Sequence, residues 1–281
     1  MKLSEMRELL TRRGIRLTKS LGQNFLHDGN QLRRIVEAAE LKPTDKVLEI
    51  GPGLGPLTEL LVAQAGEVLA LEKDARLVEV MRERFSSKFK IQNSKLELLH
   101  DDALDFVRRE QRDWRGWKLV ANLPYSVASP ILVELAQTPK RPERMVVTLQ
   151  LEVANRLMAQ ADDDDYGLLT LLVQLDYEPR DWFKIPGSCF SPAPDVDSAC
   201  VVLVRRTKPL LADEHRTAFV KIVKRALSQR RKMVMKLLKQ DWPLEKLERI
   251  FAEMNISPLE RAEKLSLELF VTLTERLAME K

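Results

Sequence analysis

The sequence predicts an α/β protein: a largely parallel sheet with helices on both faces, followed by a small all-α domain. Three observations predict it. Short β-rich runs alternate with amphipathic stretches through the first half, the order that builds a parallel sheet through crossover helices. The first of those runs passes directly into a glycine-rich turn. From about Lys208 the strand signal stops and helical periodicity takes over.

KVLEI (46–50), VLALE (68–72), LELL (96–99), WKLVA (117–121) and MVVTLQ (145–150) each read as buried strands. Continuous Val, Leu and Ile runs suit strands covered on both faces. Segments 58–64, 75–85 and 130–136 read as intervening helices. GLLTLLVQL (167–175) is so apolar that period alone does not separate helix from strand. PGSCFSPAPDVDS (186–198) is too proline-rich and irregular for either, and SACVVLVRR (198–206) reads as one more strand. The aspartate run 162–165 reads as a solvated loop rather than a cation site. HRTAFVKIVKRAL, RKMVMKLLKQ, LEKLERIFAEM and LSLELFVTLTERLA then carry helical periodicity. A boundary near Thr207–Pro209 divides the chain into domains 1–207 and 208–281.

The 281 residues are 44% hydrophobic and 31% charged, an ordinary globular balance. The formal charge of +4 says little by itself; its distribution matters more. Two cysteines, Cys189 and Cys200, with no CxxC pair, argue against a disulfide scaffold. His27, His100 and His215 are scattered, so no zinc site is expected. No apolar run reaches the roughly 18–20 residues of a membrane span. The N-terminus is basic but lacks an apolar core, and Glu5 and Glu8 argue against a transit peptide, so cytoplasm is the expected compartment.

KVLEI runs into Gly51-Pro52-Gly53-Leu54-Gly55. A glycine turn between strand and helix lets backbone approach a nucleotide closely. Pro56 stands where a dinucleotide fingerprint needs a packing contact, and no GK[ST] follows, so NAD, FAD and a phosphate-cradling loop are disfavoured. Glu72 lies at the interval that places a carboxylate on ribose hydroxyls, where a 2′-phosphate would be repelled. S-adenosylmethionine carries that ribose and no phosphate. The plainer reading is a turn that merely packs a helix on the sheet.

WKLVA ends in Asn122-Leu123-Pro124-Tyr125, at the strand end where open α/β sheets bind ligands. Its chemistry suits an exocyclic amine, whose lone pair is delocalised into the ring. The Asn122 oxygen and a Leu123 carbonyl can hold both amine hydrogens and aim the lone pair at a methyl donor. Pro124 turns the chain, and Tyr125 can stack on a flipped base. The plainer reading is an ordinary strand-end turn.

KIVKRALSQRRKMVMKLLK (221–239) carries Lys221, Lys224, Arg225, Arg230, Arg231, Lys232, Lys236 and Lys239 with no acid among them. Helical spacing sets apolar Ile222, Ala226, Met233 and Leu237 on one face and leaves the cations for phosphates. A solvated cationic face is the alternative. Arg7, Arg12, Arg13, Arg16 and Lys19 make the N-terminal arm a second candidate, or simply a frayed tail.

With these residues in hand, the chain resembles the small-subunit (16S) ribosomal RNA adenine-N6 dimethyltransferase family from about Lys19 to its end. The resemblance rests on Gln23-Asn24-Phe25-Leu26, Glu49 to Gly55, Asp102-Ala103 and Asn122 to Tyr125. It continues through Phe190-Ser191-Pro192-Ala193-Pro194, Val196-Asp197-Ser198 and Gln229-Arg230-Arg231-Lys232. It implies a seven-stranded Rossmann-like methyltransferase sheet with a helical C-terminal domain. It implies S-adenosylmethionine bound by Asn24, Leu26, Gly51, Glu72, Asp102 and Asn122, with Asp102 accepting from the adenine amine. Tyr125 and Phe190 would sandwich the target base. The implied substrate is a pair of adjacent adenines near the 3′ end of small-subunit RNA, the implied partner the small ribosomal subunit, and the implied state a monomer that also aids assembly. Ser126 departs from the family's usual Asn, which points to rate effects. Two alternatives remain: a related large-subunit RNA methyltransferase of the macrolide-resistance type, and a catalytically idle assembly or transcription factor on the same fold.

Overall fold

The computed structural model describes residues 1–15, 24–88, 95–110 and 112–279, and the chain divides into two compact units. One comprises Met1–Ala154 with Pro179–Arg205, the other Asn155–Glu178 with Arg206–Lys281. Arg16, Lys19 and Gln23 lie outside the described residues.

The seven-stranded sheet has strands β2 (Lys46–Ile50), β3 (Glu67–Glu72), β4 (Leu96–His100), β5 (Trp117–Asn122), β6 (Arg144–Gln150), β7 (Tyr177–Ile185) and β9 (Ser198–Arg205), in the order β4-β3-β2-β5-β6-β9-β7. β4, β3, β2, β5 and β6 run parallel, and β9 pairs antiparallel with β6, Gln150 opposite Ser198. Val47, Val68, Val120 and Val146 pack into one core with Ile35 of helix α2 (Gly29–Ala38) and Leu61 of α3 (Pro56–Gln64). Leu48, Leu69, Leu119 and Val147 alternate with them and are also buried, so both faces are covered. A two-stranded ladder joins β1 (Phe25–Leu26) to β8 (Phe190–Ser191).

The first unit also holds α1 (Leu3–Arg12), α4 (Ala75–Lys88), α5 (Ala103–Arg109) and α6 (Ala128–Gln137). Met6 of α1 is fully buried among Phe25, Leu54, Leu77 and Val80. Gly55 caps α3 at a φ of +77° and Pro56 takes its first turn, where proline's fixed φ and missing donor cost nothing.

In the second unit, α8 (Leu168–Gln174), α9 (Arg216–Ala226), α10 (Val234–Leu238), α11 (Leu244–Glu253) and α12 (Leu267–Met279) bury Leu171, Phe219, Ile250 and Phe270. GLLTLLVQL is therefore helical. This unit takes in Asn155–Glu178, which the expected boundary near Thr207–Pro209 places in the first domain. The reason is a set of specific bonds. Tyr166 donates its hydroxyl to the Leu265 carbonyl, the Asp162 amide donates to Glu263, and the Arg216 guanidinium grips both Asp176 oxygens at 2.6 and 2.7 Å. Helix α7 (Leu151–Met158) and strand β7 contain the boundaries. β7 carries no clear strand pattern in the sequence: Pro179 and the exposed run Arg180–Trp182 hide its strand character, as an edge position permits.

Candidate active site

The strand order reverses between β2 and β5: β3 and β4 extend to one side of β2, β5 and β6 to the other. Diverging crossovers leave a crevice at the carboxyl ends there. A cleft of about 230 Å³ occupies it, its walls drawn from the ends of β2 (Gly51), β3 (Glu72), β4 (Asp102) and β5 (Asn122), with Asn24 and Tyr125.

The glycine turn is built by close approach. Gly53 sits at a φ of +61°, and a Cβ there would lie 2.5 Å from the Phe25 ring. The Gly53 amide donates to Glu72 Oε2 at 3.0 Å, and the Asp74 amide to Oε1 at 2.9 Å. Glu72 thus fastens the turn to the end of β3 while lining the cleft, and its burial raises its carboxyl above the usual range. Asp102 caps α5, its Oδ1 accepting from the Leu104 and Asp105 amides at 2.9 and 3.1 Å. Its Oδ2 pairs with Lys73 Nζ at 2.8 Å, and that contact holds its carboxyl below the usual range.

Asn122 ends β5. Its Nδ2 donates to the Asn24 carbonyl at 3.0 Å, which fixes the amide. Its Oδ1 is buried and accepts no hydrogen bond among the described residues. A buried orphan acceptor carries a desolvation cost that invites a donor. The Leu123 amide donates to the Thr148 carbonyl, and Val127 donates to the Pro124 carbonyl, turning the chain so that Tyr125 lines the cleft. The Tyr125 hydroxyl lies 2.5 Å from Ser198 Oγ, and burial raises its pKa.

Asn24, Gly51, Glu72, Asp102, Asn122, Leu123, Pro124 and Tyr125 are therefore brought to one cleft. Two expected site residues, Phe190 and Leu26, are not among those lining the cleft. Phe190 is 3% exposed, pairs with Leu26 and packs in the core. Leu26 is 2% exposed in the same core; Phe25 and Leu26 alternate faces, and Phe25 faces the cleft. Phe25 and Lys73 were not anticipated. No period marks Phe25, and Lys73 was signalled only by adjacency to Glu72.

The basic segment is not one helix. α9 ends at Ala226 and α10 starts at Val234, with Arg230, Arg231 and Lys232 exposed in the connection. Nor are its charges all unopposed. Asp241, just beyond the segment, pairs with Lys221 at 3.1 Å and with Arg225 at 2.5 Å. Arg230 donates to the Asp164 carbonyl at 2.8 Å, while Arg231, Lys232, Lys236 and Lys239 are exposed. No helix among the described residues is long and apolar enough to cross a membrane.

Comparison with known proteins agrees with this geometry. The chain is 38% identical over 278 residues to the ribosomal RNA small subunit methyltransferase A of Geobacillus kaustophilus, covering 97% of this chain and 94% of that one. It is 38% identical over 268 residues to the protein of the same name from Geobacter metallireducens, covering 93% and 95%. A dimethyladenosine transferase from Plasmodium falciparum shares the fold, with a TM-score of 0.78 at 24% identity over 91% of this chain and 98% of that one. The 23S ribosomal RNA methyltransferase ErmE superimposes with a TM-score of 0.69 at 28% identity, covering 91% of this chain and all of the other. The profile described as ribosomal RNA adenine dimethylase matches residues 14–279. The sheet is the Rossmann-like sheet of the methyltransferases, and the chain belongs to the ribosomal RNA adenine dimethylase family.

Proposed function

We propose that the protein transfers methyl groups from S-adenosylmethionine to N6 of two adjacent adenines near the 3′ end of 16S ribosomal RNA, acting as a monomer on the small subunit during its assembly. The observation that carries this reading is the buried, unpartnered Asn122 Oδ1 at the end of β5, its amide locked by Asn24, one residue before Leu123-Pro124-Tyr125. An amine with two hydrogens meets the Asn122 oxygen and the Leu123 carbonyl and turns its lone pair outward. Tyr125 supplies a surface for the flipped base. Orientation carries most of the rate effect, because transfer from a sulfonium is already downhill.

The residues fit the cofactor. The bound cofactor supplies an electrophilic methyl group. Glu72 offers a carboxylate for the ribose hydroxyls, the Gly51–Gly53 turn offers close backbone approach, and Asp102 offers an acceptor for an amine. Asp102 Oδ2 already faces Lys73, so an incoming amine shares that oxygen. Arg230, Arg231, Lys232 and Lys236 offer phosphate contacts, supplemented by Lys221 and Arg225 where Asp241 does not hold them.

The similarity to ErmE favours one other substrate, large-subunit RNA. Incubation with labelled S-adenosylmethionine and unmodified small or large subunits, followed by mapping of the product, separates the two. Dimethylated adenines in the small-subunit RNA alone are expected; label in large-subunit RNA would overturn the assignment.

A further inference from the structure

Ser198 lies outside every motif assigned a chemical role above, yet it touches the tyrosine of the cleft. It is fully buried at the start of β9, opposite Gln150 at the end of β6. The residue before it is pinned twice: Leu151 donates to the Asp197 carbonyl at 2.9 Å, and Lys184 pairs with Asp197 at 2.5 Å. Its hydroxyl meets Tyr125 at 2.5 Å across 73 residues of sequence. Tyr125 hangs from a tight turn closed by the bond from Val127 to the Pro124 carbonyl. A ring held only at that end is free to rotate about its side-chain bonds; a bond at the far end removes the freedom.

We infer that Ser198 is a positioning residue for methyl transfer: it anchors the tip of Tyr125 and so fixes the plane on which the target base stacks. The inference deepens the proposed function and rests on it. The chemistry asks for such an anchor. An amine must meet the methyl donor in line, and a tilted platform carries the amine off that line. Ser198 does not itself line the cleft and meets it through Tyr125, so its effect travels through the tyrosine.

The test uses the full chain with S-adenosylmethionine and unmodified small subunits. Ser198→Ala and Tyr125→Phe should each lower kcat by about tenfold, the scale of one lost hydrogen bond, with cofactor affinity by calorimetry unchanged. Because both variants delete the same bond, the double variant should be no slower than either. Ser198→Thr keeps the hydroxyl and should recover most of the rate. A second readout needs no turnover. The chain has only three tyrosines, so ring-labelled tyrosine gives a resolvable spectrum. The Tyr125 hydroxyl proton should exchange slowly in the wild type and in Ser198→Thr, and rapidly in Ser198→Ala. Multiplying rather than shared losses, or a slow hydroxyl proton in Ser198→Ala, would overturn this inference alone. A wild type that methylates no adenine would overturn the functional reading, and this inference with it.

Discussion

Glu49 lies one residue before the end of β2, beside the glycine turn, with 1% of its surface exposed. Burial, with the neighbouring Glu72 carboxylate adding to it, pushes its carboxyl up to about 8 from an ordinary 4.5. The folded protein therefore holds a proton that the unfolded chain releases between those values. Stability falls as pH rises through that window and levels off above it. Glu49→Gln removes the titration, so in thermal melts its advantage over the wild type should grow across the window; a constant difference would show that another group titrates. At this scale the sequence showed the cleft in part. Glu72 and Asn122 were legible because a strand end and a spacing put them there. The core packing of Phe190 and Leu26 was not, because it depends on a two-residue ladder between segments far apart in the chain.

Gly53 and Lys118 bear on whole elements. Gly53→Ala places a methyl group on the Phe25 ring at a left-handed φ, so it should destabilise the protein by roughly 1–3 kcal/mol and weaken cofactor binding. Denaturation and calorimetry on the same variant check both. Lys118 is 5% exposed on β5. Its ammonium bonds the carbonyls of Ala39 and Glu40 at the end of α2, at 3.2 and 2.8 Å, and Asp45 at 2.8 Å. Positive charge at a helix C-terminus is favourable, and removing it takes the cation from a part-buried carboxylate that keeps the Lys42 amide. Lys118→Met should cost about 3 kcal/mol in chemical denaturation, with less than 1 kcal/mol (about) sufficient to show that the pairing is incidental. The parallel strands were legible because both their faces are apolar. β1 and β8 were not, since two residues carry no period, and helix α8 owes its state to packing that composition does not show.

For the molecule as a whole, the change of periodicity near residue 208 correctly announced a helical region. It did not announce that Asn155–Glu178 joins it, because the bonds from Tyr166, Asp162 and Asp176 are long-range. The exposed connection between α9 and α10 is the clearest phosphate-binding candidate there. Replacing Arg230, Arg231 and Lys232 with alanine should flatten the log–log salt dependence of small-subunit binding by about 0.7–0.9 per lost contact, with cofactor affinity unchanged. An unaltered slope would place the phosphate contacts elsewhere. The central claim, that the locked Asn122 amide aims an adenine amine at the methyl donor, is tested most directly by single-turnover methyl transfer with Asn122→Ala at saturating cofactor and small subunit. Particle binding should be normal and the transfer rate lower by roughly 100-fold, the scale of losing one preorganised polar contact at a reacting group; a transfer rate close to that of the wild type would show that Asn122 does not aim the amine.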